Sequence, residues 1–350
     1  MKKKTAFISG IGGQDGSYLA EFLLKKNYRV FGILPRRSNP EFQTYRIDHI
    51  LDRLDIEYGD ILDKITLDSI FKKVKPNEIY HLAAQSHVGI SFKSPFITTQ
   101  IDYIGVINIL DAARYNSPKS RFYNASTSEI YGNINKNKIL NENSIKEPVS
   151  PYGISKLAAY HLTKIYRESY NMFACNGILF NHESPRRGLN FVTAKVVKGA
   201  LEIKYKKKKY IELGNLDSMR DWGHAKDYVY AMWLILNKKK PEDYVIATGK
   251  TTSVRDFVNQ CCKYLNLKII WSGNGVNEKG YLVKNKKKEL IIKVDKNYYR
   301  PLEIDYLKGD PRKAFKKLNY KLKHNLMDLV KDMLDADINL FKKKFNEKNR

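Results

Sequence analysis

Short apolar runs separated by amphipathic stretches set the pattern of the first half of the chain. Thr5–Ser9 and Arg29–Leu34 read as buried strands, with Ile56–Tyr58, Glu78–Leu82 and Arg121–Ser126 as further ones. Between them Asp15–Lys26 places Leu19, Phe22 and Leu23 on one helical face, and Thr99–Asn116 places Ile104, Ile107, Leu110 and Ala113 near helical spacing. Thr66–Val74 and Tyr152–Tyr170 complete the set of helices. Strands alternating with helices predict an α/β fold with a Rossmann-type, doubly wound parallel sheet.

Beyond about residue 180 the elements shorten, which predicts a smaller C-terminal α/β lobe that binds substrate at the carboxyl edge of the sheet. Asp227–Leu236 is an apolar helical stretch and Tyr244–Ala247 a short strand, and both are expected to return to the first domain. The expected division is 1–178, with a returning segment at about 216–248, for the nucleotide-binding domain. The second lobe then takes 179–215 and 249–340, and 341–350 is a charged tail expected to fray. The polar stretch Asn133–Glu147 reads as an excursion loop.

Composition narrows the function classes. With 350 residues and 43% hydrophobic content the chain can bury a sizeable core. No apolar run is long enough to span a bilayer and no signal-peptide pattern opens the chain, so no membrane partner and a cytoplasmic location are expected. Three cysteines without a Cys-x-x-Cys, and seven scattered histidines, give neither a disulfide framework nor a metal site. The formal charge of +26 comes from lysine runs such as Lys206–Lys209 and Lys342–Lys344. It reads as a solvated surface that favours a diphosphate ligand, since no nucleic-acid-binding motif accompanies it.

The first strand runs into Gly10-Ile11-Gly12-Gly13-Gln14-Asp15-Gly16, which opens the first helix. Glycines at 10, 13 and 16 let backbone turn tightly and approach a pyrophosphate at a helix N-terminus. An acidic residue at the end of the second strand would hold the ribose hydroxyls of NAD. Here Pro35-Arg36-Arg37-Ser38 follows instead, and two arginines with a hydroxyl suit a 2′-phosphate, hence NADP. Asp60 and Ile61, after the third strand, are candidate adenine contacts. Leu82, Ala84, Gln85 and Ser86, after the fourth, lie where a dinucleotide would pass, although Ala83 and Ala84 also suit core packing.

Tyr152 and Lys156 lie one helical turn apart. A lysine cation beside a phenol is expected to lower the phenol's pKa from about 10 towards neutrality, so that it can take a proton from a sugar hydroxyl as hydride leaves. Thr127 and Glu129 follow the fifth strand at the ligand-binding edge. Thr127 can hydrogen-bond the hydroxyl being oxidised. Glu129 can remove a proton from the carbon beside the new ketone and then protonate a departing hydroxyl. A tyrosine–lysine pair alone implies hydride transfer, whereas the added glutamate implies dehydration.

These segments, together with GILFNHESPRRG at 177–188, GNLDSMRDWGHAKDYV at 214–229 and Tyr299-Arg300-Pro301-Leu302-Glu303, resemble the extended short-chain dehydrogenase/reductase superfamily and, within it, the GDP-mannose 4,6-dehydratases. The resemblance spans roughly residues 4–340. It implies that Thr127, Glu129, Tyr152 and Lys156 are catalytic, and that the glycine loop, Arg36, Arg37, Ser38, Asp60, Ala84, Lys156, His182 and Arg187 hold NADP. It also implies substrate contacts at Ser86, Thr127, Asn181, Asn190, Lys195, Arg220, Arg300 and Glu303. The implied reaction converts GDP-mannose to GDP-4-keto-6-deoxymannose, in a homodimer or homotetramer. A GDP-manno-heptose dehydratase and, more distantly, a basic nucleic-acid-binding protein with a vestigial nucleotide fold are the alternatives. The chain departs from the family pattern at Gly12, where threonine is usual, and at Pro35, Val149 and Ala194.

Overall fold

The computed structural model describes residues 3–36, 41–133, 138–284, 287–299 and 302–348. Its centre is a seven-stranded sheet built from β1 (Thr5–Ser9), β2 (Arg29–Leu34), β3 (Asp55–Tyr58), β4 (Glu78–His81), β5 (Arg121–Thr127) and the strands Ala174–Leu179 and Tyr244–Ile246. The order across the sheet is Tyr244–Ile246, Ala174–Leu179, β5, β4, β1, β2, β3, and every neighbouring pair is parallel. The chain winds outward from β1 to β3 and then crosses back to β4. The order therefore reverses between β1 and β4, and the crevice at their carboxyl ends is where such sheets bind ligands.

β1, β2 and β5 begin where the apolar pattern places them, and the first helix, α1 (Gln14–Lys25), is shifted by one residue from expectation. The strand Tyr244–Ile246 pairs with Ala174–Leu179, and the helix Ala225–Leu236 packs in the apolar cluster that holds α1 and β1. Phe22 of α1 meets Tyr230 and Trp233 edge-on at 5.9 and 5.6 Å. The stretch 99–116 is helical as expected, but it begins earlier, at Pro95, and carries a π-helical turn, Gln100–Ile104, between Pro95–Thr99 and Gly105–Asn116. Of the tail at 341–350, residues 341–348 form the end of a helix running Leu326–Lys348, whose Phe341 stacks on Tyr205 at 4.3 Å, and 349–350 lie outside the described residues. Gly12 stands where a Cβ would strike the main-chain carbonyl of Gln43, so the short helix Glu41–Thr44 closes in on the glycine loop there.

Three small sheets are formed by the remaining strands. One joins Thr252–Ser253, Met219–Arg220, Tyr306–Gly309 and Ile139–Leu140, so the polar excursion at 133–147 contributes an edge strand. Another joins Ile269–Ser272, Lys279–Lys284, Lys287–Val294 and Ile211–Leu213. It packs with helices Val192–Lys204 and Val254–Tyr264 around a separate apolar cluster that includes Val197, Ile211, Trp222, Phe257 and Ile292. The third pairs His182–Glu183 with Gly223–His224, next to the cleft. Among the described residues no helix is long and apolar enough to cross a membrane.

Under the helix Pro151–Ser169 the sheet carries a polar row at a single register: Ser9, His81, Asn124 and Asn176 are cross-strand partners in turn. The row ends on Asp243, which accepts two hydrogen bonds from Arg167 at 2.8 and 3.0 Å and further ones from the Asn176 backbone and side chain. Asp243→Ala removes the counter-charge of a half-buried guanidinium and the acceptor of the buried Asn176 N–H, a loss expected to cost about 3–5 kcal/mol. Urea denaturation measures it; a loss below about 1 kcal/mol would show that the pair contributes no more than a surface ion pair.

Candidate active site

A cleft of about 1260 Å³ lies along the carboxyl edge of the sheet. That exceeds the range of about 300–1,000 Å³ typical of a pocket for one small ligand and suits two extended ones side by side. One wall is the glycine loop. α1 begins at Gly13 with no side-chain cap, which leaves its first N–H groups facing the cleft for an anion. A Cβ at Gly16 would fall on the Gly10 carbonyl oxygen, and one at Gly10, where φ is 75°, would press on the Ala83 backbone. The loop is thus a cradle that only glycine fits, and it passes the steric test for a pyrophosphate.

Gly10, Gly13, Gln14, Asp15, Gly16, Asp60, Ile61, Leu82, Ala84 and Ser86 line this end. Gln85 does not. Its side-chain amide is committed to Thr98 and to the His87 backbone, and its own N–H donates to Asp102 at 2.7 Å. Arg36 is exposed and lies off the lining, while Arg37, Ser38 and Arg300 fall outside the described residues. His182 Nε2 meets Asp15 Oδ2 at 2.7 Å and its Nδ1 meets the Phe180 carbonyl at 2.8 Å, with the ring stacked on Tyr228 at 4.4 Å. Burial opposes charge on His182, but Asp15 holds its pKa above the ordinary value; Asp15 is held below its own, against burial, by His182 and Arg187. Gln14 adds a link to Ser184 at 2.8 Å, so the start of α1 is fixed to the strand His182–Glu183.

The catalytic candidates come from two adjacent elements. β5 ends at Thr127, whose Oγ1 accepts from the Glu129 N–H at 3.3 Å and so turns the chain into the 3-10 segment Ser128–Tyr131. Ser150 caps the next long helix by accepting from the Gly153 N–H at 3.0 Å, with Pro151 in the first turn. That start is packed against the Glu129 carbonyl, where Gly153 has no room for a Cβ. Thr127, Glu129, Tyr152 and Lys156 are all buried and all line the cleft.

The electrostatics differ from expectation in one respect. The Tyr152 phenol is pushed up, not down: burial is the main cause and Asp102 adds to it, with Glu129 also raising it. A Thr127 hydrogen bond and the Arg187 charge pull the other way. The Lys156 ammonium is itself held below its ordinary value by burial, with Asp102 opposing. The phenol is raised rather than lowered because burial and the Asp102 and Glu129 carboxylates outweigh the influences that favour its ionised form.

At the far end of the cleft Arg220 pairs with Glu303 at 3.1 Å, and the Lys195 ammonium sits 3.3 Å from the centre of the Tyr298 ring. Asn181, Asn190, Lys195, Arg220 and Glu303 line this end, together with Arg187, which is paired to Glu183 at 2.9 Å. Sequence reasoning missed Tyr298, Tyr299 and Trp222 here, although the first two directly precede Arg300. It also missed Asp102, whose signal is a lone acid within an otherwise apolar helical face.

The sequence profile of the GDP-mannose 4,6 dehydratase family matches residues 7–333. The chain is 49% identical to the GDP-mannose 4,6 dehydratase of Drosophila melanogaster, over 98% of this chain and 88% of that protein. It is 47% identical to the human GDP-mannose 4,6 dehydratase, over 97% and 93% of the two chains. Among solved structures, the UDP-glucuronic acid 4-epimerase of Bacillus cereus, in complex with UDP-glucuronic acid and NAD, superposes with a TM-score of 0.80 at 23% identity, covering 96% of this chain and 99% of that one.

Proposed function

The chain belongs to the GDP-mannose 4,6-dehydratase family, and from that premise we propose that it converts GDP-mannose to GDP-4-keto-6-deoxymannose and water, as a carbon–oxygen lyase. The observation that carries this reading is the convergence of Thr127, Glu129, Tyr152 and Lys156 on one cleft at the carboxyl edge of the sheet. A nicotinamide dinucleotide, when bound, supplies a hydride acceptor that returns the hydride within the same turnover.

Thr127 holds the C4 hydroxyl and Tyr152 takes its proton as C4 is oxidised. The C4 ketone acidifies the C5 proton, which Glu129 removes and delivers to the C6 hydroxyl, so that C6–O breaks and water leaves. C5 regains a proton as C6 is reduced, and the proton taken by Tyr152 balances it; the net change is loss of one water. Lys156, buried and without a protein hydrogen-bond partner among the described residues, keeps its donors for a ligand.

The absence of an acid in Leu34-Pro35-Arg36 supports NADP over NAD, with Arg36, Arg37 and Ser38 at the 2′-phosphate. Arg220, Lys195 and Arg300 supply positive charge for the diphosphate. The Glu303 carboxylate can accept from the N–H edge of guanine. Phe96, Ile97, Ile104, Ile154 and Ile165 are exposed on helical segments of one layer, which supports a homodimer or homotetramer. Incubation with GDP-mannose and, separately, GDP-manno-heptose is the test. Mass loss of one water from GDP-mannose is expected; turnover of the heptose alone, or of neither, overturns the assignment.

A further inference from the structure

Behind the catalytic pair lies a charge that the reaction as described does not use. Asp102 sits in the π-helical turn Gln100–Ile104, fully buried. π turns cluster at functional sites because they insert one side chain out of the helical register. The segment leading into this turn is tied to the catalytic helix, since Thr99 Oγ1 lies 3.2 Å from Ser155 Oγ, the neighbour of Lys156. One oxygen of Asp102 accepts from the Gln85 N–H at 2.7 Å, and the other is buried without a hydrogen-bond partner. Lys156 is itself 3% exposed and belongs to no ion pair among the described residues.

A buried ammonium is expensive unless a counter-charge accompanies it. The groups acting on Lys156 from the packed elements are Asp102 from the π turn and His81 from β4. His81 is held neutral by burial, down to about 3, and its Nδ1 is occupied by Ser9 Oγ at 2.8 Å. Asp102 is therefore the one carboxylate in that enclosure acting on the lysine. The same charge reaches Tyr152, which also feels Thr127, Glu129 and Arg187.

We infer that Asp102 is a positioning residue that works through Lys156, supplying the buried counter-charge that keeps the lysine ammonium protonated while opposing premature ionisation of Tyr152. This inference rests on the reading of Tyr152 and Lys156 as the proton-handling pair. Its sign is fixed. A negative Asp102 favours the charged lysine and disfavours the phenolate, so removing it lowers the pKa of both groups. Activity requires a deprotonated tyrosine and a protonated lysine. The rising limb and the falling limb of the pH profile of kcat/KM therefore both move to lower pH.

Asp102→Asn retains an acceptor for the Gln85 N–H and removes only the charge. It is expected to shift both limbs towards acid by about one unit, so that kcat/KM rises up to about tenfold on the rising limb and falls up to about tenfold on the falling limb relative to wild type. Asp102→Ser, which keeps a shorter neutral acceptor, should give the same shift, and serves if the asparagine variant fails to fold. Thermal unfolding of each holoenzyme separates stability from activity. If the limbs stay in place while amplitude falls, Asp102 merely tethers Gln85 and the inference is wrong. If the wild type itself does not turn over GDP-mannose, it is the assigned function that fails.

Discussion

Glu129→Gln is expected to leave a folded protein that binds its dinucleotide and GDP-mannose but releases no 4-keto-6-deoxy sugar. Glutamine is close in shape, and Glu129 is buried between the end of β5 and the first turn of the helix Pro151–Ser169, so the backbone geometry of the site should persist. The amide cannot accept the C5 proton or pass it to the C6 oxygen. General acid–base groups contribute about 10²–10⁴-fold, and Glu129 acts twice, so turnover should fall by at least about 10³-fold, or about 4 kcal/mol of barrier. Oxidation at C4 does not need this carboxylate. The variant should therefore accumulate up to one equivalent of 4-keto hexose per site, detectable by mass after reductive trapping, with no deuterium entering C5 from D₂O. Full turnover, or C5 exchange at the wild-type rate, would remove Glu129 from its assigned role.

Much of this site could be read from the chain because its parts lie at predictable places on a parallel sheet. The glycine loop, Asp60, Ala84, Thr127 and Glu129 each follow a strand, and a strand's carboxyl end faces the crevice whatever the side chains are. Ala174–Leu179 was not legible as a strand. Its Cys175, Asn176 and Gly177 break the apolar pattern, yet all three are buried, Asn176 within the cross-strand polar row and Gly177 against the Tyr123 hydroxyl. The π turn was illegible for a related reason: helical spacing runs through it, and the extra residue shows only in the placement of Asp102. The position of Gln85 beside small residues suggested a ligand contact, and nothing in the spacing signals that its amide closes the loop on His87 and Thr98. Pairwise electrostatics were least accessible. The spacing of Tyr152 and Lys156 is visible in the sequence, but the burial and the facing carboxylates that raise the phenol come from elements more than twenty residues away in the chain.

Tyr152→Phe tests the other half of the mechanism and should fail one step earlier. Phenylalanine fills the same buried volume, so the fold and dinucleotide binding should be retained, and on the proposed placement of the sugar nucleotide at the Arg220–Glu303 end of the cleft KM for GDP-mannose should change little. Loss of the phenol removes the base for the C4 hydroxyl, and kcat should drop by about 10²–10⁴-fold. The raised phenol shapes the pH response: burial and the two carboxylates keep it protonated in the free protein, so wild-type kcat/KM should rise with pH as the proton is lost. It should fall again when Lys156, whose ammonium burial holds below its ordinary value, loses its own proton. In Tyr152→Phe the rising limb should disappear while the falling limb stays. The two variants also separate by intermediate. Without oxidation at C4 the C5 proton is not acidified, so Tyr152→Phe should yield neither trapped 4-keto hexose nor C5 exchange, where Glu129→Gln yields the first without the second. A 4-keto burst in Tyr152→Phe equal to that of Glu129→Gln would mean that another group takes the hydroxyl proton, and Thr127, which lines the same cleft, would be the residue to replace next.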